Sequence, residues 1–235
     1  MPEIHQTDCL NAWQDGAKLI VNNHGEVFNL LTIVEAPCDF EQKWLDEYSP
    51  HSIYKSADNI SDVVDTVFPT KLILKYPSRP QFYSAYMRLH QRAMKWPRNR
   101  SRWGTYFERL VAFGGTENQL ELLITKLNTW PRNTTGLVFH LSSPSVDRPR
   151  TRGGPCWHFG EIVWRKGDIL DFVAVYRNHD YFNKALGNFI ALGQLLRFIA
   201  NESSKVPGKL ICHSVHAYSE RSLSALSNLA KMSGK

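Results

Sequence analysis

The stretch that most restricts how this chain can fold lies in its second half. Residues 157–164 and 169–176 are two runs rich in β-branched and aromatic side chains, separated only by Arg165-Lys166-Gly167-Asp168. Gly beside Asp supplies the positive φ that a tight turn demands, so the runs are expected to pair as an antiparallel hairpin. Phe182, Leu186, Phe189, Leu192, Leu196 and Ile199 then recur at helical spacing and mark the apolar stripe of a long helix. Pro207-Gly208 reads as a turn into a last strand over 209–218. A hairpin, a helix that must bury its stripe and a returning strand fit a sheet covered by helices.

The first half mixes the same elements. Leu10, Trp13, Ala17 and Ile20 predict a helix over 10–21, and 27–34 reads as a strand. Asp58-Asn59-Ile60-Ser61-Asp62 looks like a helix start, and that helix should end before Pro69. Residues 81–94 and 118–129 carry further helical patterns, and 137–141 reads as a strand. The fold class expected is α+β, with an antiparallel component and helices packed on one side. No internal repeat or Gly/Ser linker divides the chain, so 1–235 is read as a single domain. A domain of this length buries roughly 70% of its unfolded surface and builds a core without disulfides or metal. Cys9, Cys38, Cys156 and Cys212 are scattered, none at zinc-ligand spacing, and free thiols in a reducing compartment are expected. The N-terminus lacks a leader pattern and no apolar stretch reaches the roughly 18 residues of a membrane span, so a cytoplasmic protein without membrane partners is expected.

The net charge of +6 matters through its distribution. Residues 77–107 contain no acidic residue before the helix that follows, while Arg79, Arg88, Arg92, Lys95, Arg98, Arg100 and Arg102 accumulate among Tyr86, Trp96, Trp103 and Tyr106. Such a run can be a solvated helix face, or it can track a phosphate backbone and stack bases. A second cluster, Arg148, Arg150 and Arg152, precedes Pro155-Cys156. Cys156 follows a glycine pair and opens a strand, and the arginines upstream are expected to lower its thiol pKa. A lone cysteine is otherwise a small buried hydrophobe. Tyr176-Arg177-Asn178-His179-Asp180, Leu186-Gly187-Asn188-Phe189 and His216-Ala217-Tyr218 place polar residues at strand ends and on an apolar helix, where a binding site is one reason to tolerate them.

In order and spacing these blocks resemble the thymidylate synthase family. The family pattern runs Pro-Cys, a hairpin, Tyr-Gln-Arg-Ser-x-Asp, a helix with Pro-Phe-Asn, then Gly-Asp-x-His-x-Tyr. Here it reads Pro155-Cys156, the hairpin, Tyr176 to Asp180, Gly187-Asn188-Phe189, then Ser214-Val215-His216-Ala217-Tyr218, so the motif-bearing part covers about residues 154–218. The resemblance implies a layered sandwich with a large mixed sheet, helices packed on one side, and a homodimer. It also implies a transferase that adds a methyl or hydroxymethyl group to C5 of a uracil nucleotide such as deoxyuridylate, with 5,10-methylenetetrahydrofolate as donor and no metal. By resemblance Cys156 is the nucleophile that adds to C6, and Arg177 touches substrate phosphate and thiolate. Asn188 reads the pyrimidine edge, His216 and Tyr218 bond the sugar hydroxyl, and Asp180 contacts the folate ring. Asn178, Arg150 and Arg152 are further substrate-binding candidates.

The chain departs from the family in several places. Where two adjacent arginines stand, this sequence has Arg132-Asn133-Thr134-Thr135, and Asn178 replaces the serine after the phosphate arginine. Pro-Cys-His becomes Pro155-Cys156-Trp157-His158, Gly-Asp becomes His213-Ser214, and residues 81–94 hold no glutamate for a proton relay. The short stretch after Tyr218 is read as lacking the family's lid-forming tail. These departures keep two alternatives open: the same pocket acting on a pyrimidine within DNA or RNA, and a non-catalytic member that binds nucleotide or nucleic acid.

Overall fold

The structure, a computed structural model, describes residues 1–95, 103–132, 136–147 and 154–231. The elements in chain order are β1 (Glu3–Gln6), α1 (Cys9–Asn22), β2 (Glu26–Val34), α2 (Trp44–Glu47), α3 (Pro50–Ile53), α4 (Ile60–Val67), α5 (Thr70–Lys75) and α6 (Arg79–Met94). There follow α7 (Tyr106–Val111), α8 (Gln119–Thr129), β3 (Val138–His140), α9 (Pro144–Asp147), β4 (Trp157–Arg165), β5 (Ile169–Tyr176), β6 (His179–Asp180), α10 (Ala185–Glu202), β7 (Val206–Tyr218) and α11 (Leu223–Ala230). Several helices start where the sequence supplies a side-chain cap. Asp8, Asn59, Thr105, Asn118 and Ser222 each accept a backbone N–H of the first turn that would otherwise lack a partner.

Among the described residues one mixed sheet runs β1-β2-β7-β5-β4-β3, with β6 lying against the far end of β7. The expected hairpin is present: β4 and β5 pair antiparallel through Arg165↔Ile169, and the turn places Gly167 and Asp168 at φ 79° and 57°. The β5–β7 pairing is parallel, reached through α10 as a crossover, whereas β2 pairs antiparallel with β7.

Two readings need correction. Pro207-Gly208 is not a turn, because β7 begins at Val206 and runs straight through it. The chain reverses earlier, around Ser204 at φ 53°. The ladder shifts register opposite Pro207-Gly208, where the Asp171 carboxylate accepts the Lys209 N–H at 2.8 Å in place of a strand carbonyl. β1 was absent from the sequence reading; it is only four residues and gains its place by parallel pairing with β2.

α10 is the central helix. It is apolar on nearly every side and buried almost throughout, as expected of a helix enclosed by protein rather than laid on a surface. Leu192, Leu196 and Ile199 are fully buried, and each contributes about 1.5–3 kcal/mol of burial. The sheet covers one side of α10, while α1 and α4 pack elsewhere on it. An aromatic cluster of Phe68, Phe82, Phe107 and Phe198 joins α6 and α7 to this layer, with the Phe82 and Phe107 ring centroids 5.1 Å apart. Among the described residues the opposite face of the sheet carries no helix. Alternate positions there, Leu31, Ile33, Val173, Val175, Ile211 and Val215, are half-buried or exposed.

Candidate functional site

Every strand end that carried a polar block arrives at one place. Cys156 immediately precedes β4, whose Trp157 pairs with Tyr176 at the end of β5. The ladder continues one step further, where Arg177 N–H donates to the Cys156 carbonyl at 2.8 Å. β6 then lies parallel to the end of β7, with His179↔Ala217 and Asp180↔Tyr218 in register. The N-terminus of α10 adds Lys184 and, one turn in, Asn188. α4 closes the wall, since Gly187 lets the Val63 side chain approach within 2.9 Å of where a Cβ would stand.

These segments enclose a cleft of about 230 Å³. Of the candidates from the sequence, Cys156, Asn178, Asp180, Asn188 and Tyr218 line it. Arg177 stands behind the thiol: it is hydrogen-bonded to Cys156, and its Nε donates to the Pro155 carbonyl at 3.1 Å. His216 is not among the lining residues. One ring nitrogen meets Asn178 Oδ1 at 3.1 Å and the other meets Glu26 Oε2 at 2.9 Å, with Tyr218 stacked at 5.1 Å. Arg150 and Arg152 lie outside the described residues, as do Trp96, Arg98, Arg100, Arg102 and Arg148.

The thiol differs from expectation. Burial pushes the Cys156 thiol up, and the opposing pull of Arg177 and Lys184 does not overcome it. The sequence reading counted neighbouring cations and could not count lost water. Asp180 is likewise pushed up by burial, although Phe182 N–H at 3.0 Å, Glu220 N–H at 3.2 Å and Asn183 Nδ2 at 2.7 Å all donate to its carboxylate. Burial moves the Tyr218 hydroxyl up to about 12, so it is neutral at neutral pH.

Several cleft residues were not singled out from the sequence. Tyr106 stood in the basic run as a possible base-stacking ring. It is instead a buried prop, whose hydroxyl oxygen accepts the Cys156 and Trp157 N–H groups at 3.1 and 3.3 Å. Trp103 is held by Arg109, which bonds its carbonyl at 3.1 Å and lies over its ring while pairing both oxygens of Asp147. Arg79, the first cation of that run, is engaged by Glu121 and Glu202. Lys184 lay unremarked within the predicted long helix and pairs with Asp58 at 2.6 Å. No residue of α6 lines the cleft, so the wall searched for a glutamate belongs to α4, through Val63 and Thr66.

His179 is the largest omission. It is fully buried, stacked on Tyr176 at 4.3 Å and 7°, and hydrogen-bonded to both Ser214 and Asn188. Among the described residues no group of His, Cys, Asp or Glu is arranged to hold a metal ion, and no helix is long and apolar enough to cross a membrane.

No family model matches the chain. A protein of Methanococcoides burtonii named "Putative thymidylate synthase" is 28% identical over 116 residues, which are 48% of this chain and 51% of that protein. A protein of the same name from Methanosarcina barkeri is 26% identical over 114 residues, again 48% and 51%. The matched segment thus spans about half the length of these curated relatives. The crystal structure of thymidylate synthase from T4 phage superposes over 95% of this chain and 81% of its own, with a TM-score of 0.60 and 14% identity, which shows a shared fold. Over about half its length the chain is thus similar in sequence to two proteins named "Putative thymidylate synthase", and it shares the fold of the phage thymidylate synthase.

Proposed function

We propose that this cleft binds a uracil nucleotide such as deoxyuridylate and adds a one-carbon unit, as methyl or hydroxymethyl, to C5 of its ring. One observation carries the reading: Cys156, Asn188, Asp180 and Tyr218, brought from four separate elements, line one cleft with Arg177 on the thiol.

Each residue has a task that its chemistry suits. The Cys156 sulfur adds to C6 as a thiolate, and the electron pair displaced from the C5–C6 bond makes C5 nucleophilic. Arg177 stabilises that sulfur through its permanent charge, and Lys184 adds a second cation. Asn188 offers a carboxamide to the O4/N3 edge. Tyr218 supplies a neutral hydroxyl for the sugar, with His216 and Asn178 behind it. Arg177 is the proposed phosphate contact, and Arg150 and Arg152 are the further candidates that the sequence offers for it.

The pyrimidine ring and its sugar are seated in the cleft of about 230 Å³. A second, folate-type reactant belongs over Asp180 at the same cleft. An ionised carboxylate offers about four acceptor sites. Three are taken by Phe182, Glu220 and Asn183, which leaves one for a ring N–H, and Trp103 also lines the cleft. The residues present therefore fit such a group. When bound, methylenetetrahydrofolate supplies the carbon at the methylene level. The uncovered apolar sheet face is proposed as the interface of a homodimer.

Intact-mass spectrometry after incubation with deoxyuridylate and methylenetetrahydrofolate tests the proposal. A covalent adduct that disappears in Cys156→Ala is expected. The absence of an adduct with any pyrimidine nucleotide would overturn it.

A further inference from the structure

Charge is unevenly shared along this chain. Residues 66–107 hold nine Lys and Arg and no Asp or Glu, so the rest of a chain of net charge +6 is itself acidic, at −3. Most of the described part of that stretch is the helix pair α5 and α6. α6 turns Phe82, Tyr83, Ala85 and Tyr86 into the core, while Gln81, Ser84, Arg88, Arg92 and Lys95 are exposed. These recur every three or four residues, so they form one row along the helix. Among the described residues Arg79 is the one cation of α5 and α6 with an ion pair, to Glu121 and Glu202. Lys71 lies within reach of the Asp65 carboxylate. A solvated helix face interleaves both signs at i,i+4 and gains from the pairing. Here Arg88 and Arg92 stand four apart with like charge, a repulsion that an anionic partner would relieve.

A groove runs beside this row. Tyr76 at the end of α5 and Pro80, Gln81, Ser84 and Arg88 of α6 line it, and its volume is about 530 Å³. The Tyr76 ring is half-buried, and the Lys75 ammonium lies 5.6 Å from its centroid. Each group suits one part of an unpaired polynucleotide strand. A guanidinium takes two phosphate oxygens at once, and an amide or hydroxyl donates to the same backbone. An aromatic ring stacks a base that has no complementary strand. Arg88 and Arg92 are about 6 Å apart along the helix axis, comparable to successive phosphates of an extended strand. A duplex keeps its bases stacked on one another, and an acidic peptide has none, so either would leave the ring idle.

We infer that the face formed by α5 and α6 binds single-stranded nucleic acid, with backbone phosphates on Arg88 and Arg92 and a base stacked on Tyr76. No residue of α5 or α6 lines the cleft, so this surface is separate from the proposed chemistry and does not depend on the pyrimidine-nucleotide reading.

Fluorescence anisotropy of the full chain with labelled oligothymidylate and oligouridylate tests it, in wild type, Arg88→Glu/Arg92→Glu, Tyr76→Ala and Tyr76→Phe. Wild type is expected to bind both with micromolar Kd in about 50 mM salt, and to weaken with a log–log salt slope of about −2, as roughly three phosphate contacts require. The two affinities should agree within about 3-fold, because neither phosphate contact nor stacking reads the 2′-hydroxyl. Both arginines are exposed, so their replacement leaves the core intact. The double substitution should weaken binding by about 10-fold or more and flatten the slope by about 1.4. Tyr76→Ala should cost about 5-fold or more, and Tyr76→Phe should bind as wild type. No binding by wild type in about 20 mM salt, or undiminished binding by the double variant, would overturn the proposal. Tighter binding of a duplex, or equally tight binding of polyglutamate, would make a duplex or an acidic protein the partner and overturn it too. Photo-crosslinking of wild type to an oligonucleotide carrying 5-bromouracil needs no variant. Label on the peptide bearing Tyr76 is expected, and label confined to other peptides would contradict the assignment.

Discussion

At Cys156 two effects of opposite sign meet. Burial raises the thiol pKa, and the guanidinium of Arg177 lowers it, with burial ahead in the unliganded cleft. Burial therefore favours the protonated thiol in the unliganded cleft, which limits its exposure to oxidants as a thiolate. Replacing Cys156 by serine should lower turnover by about 10³-fold or more, with nucleotide affinity changed far less, as read from single-turnover rates and calorimetry. His179 carries a stability prediction of its own. Its folded pKa of about 3 lies below the ordinary value of 6.5, so between these limits the unfolded chain binds the extra proton. The stabilisation is complete above about pH 6.5 and is lost as pH falls toward 3, at up to about 1.4 kcal/mol per pH unit. His90 and His158 are also depressed by burial and act in the same direction. Urea unfolding at pH 7 and pH 4.5 should therefore show a smaller drop for His179→Gln than for wild type, and equal drops would exclude the buried neutral histidine.

The elements were legible wherever burial leaves a period in the sequence. The β4–β5 hairpin, α10, α1 and α8 follow from alternation, helical spacing and capping residues, and their edges moved by only a few residues. The candidate site was legible in part: Cys156, Asn188, Asp180 and Tyr218 do meet in one cleft. What sequence reading missed depends on contacts between distant segments. His179 gains its meaning from Asn188 and Ser214, and Tyr106 gains its own from the backbone of Cys156. Neither contact leaves a local pattern. The pull of Pro-Gly toward a turn reading was likewise overridden by sheet pairing and by Asp171. Element packing yields a further prediction. A methyl group at Gly187 would press on Val63 of α4, at 2.9 Å. Gly187→Ala is expected to cost about 1–3 kcal/mol in chemical unfolding and to weaken nucleotide binding by displacing Asn188.

For the molecule as a whole, asymmetry of the sheet is the main consequence. Helices bury one face, and on the other Leu31, Ile33, Val173, Val175, Ile211 and Val215 are only half-buried or exposed among the described residues. An apolar face of this kind suits a second copy of the chain. Sedimentation velocity should show a dimer in wild type and a monomer in Val175→Glu, whereas a wild-type monomer at micromolar concentration would contradict that arrangement. On the covered side, the far ends of β5, β6 and β7 gather the cleft against α10 and α4, so the proposed chemistry and the proposed interface fall on opposite faces. The central claim is substitution at C5 of a uracil nucleotide through Cys156. It is tested most directly by release of tritium from deoxyuridylate labelled at C5, because methylation and hydroxymethylation both expel that hydrogen. Release that requires methylenetetrahydrofolate and is abolished in Cys156→Ala is the result predicted; no release from wild type, or equal release from the variant, would contradict the account.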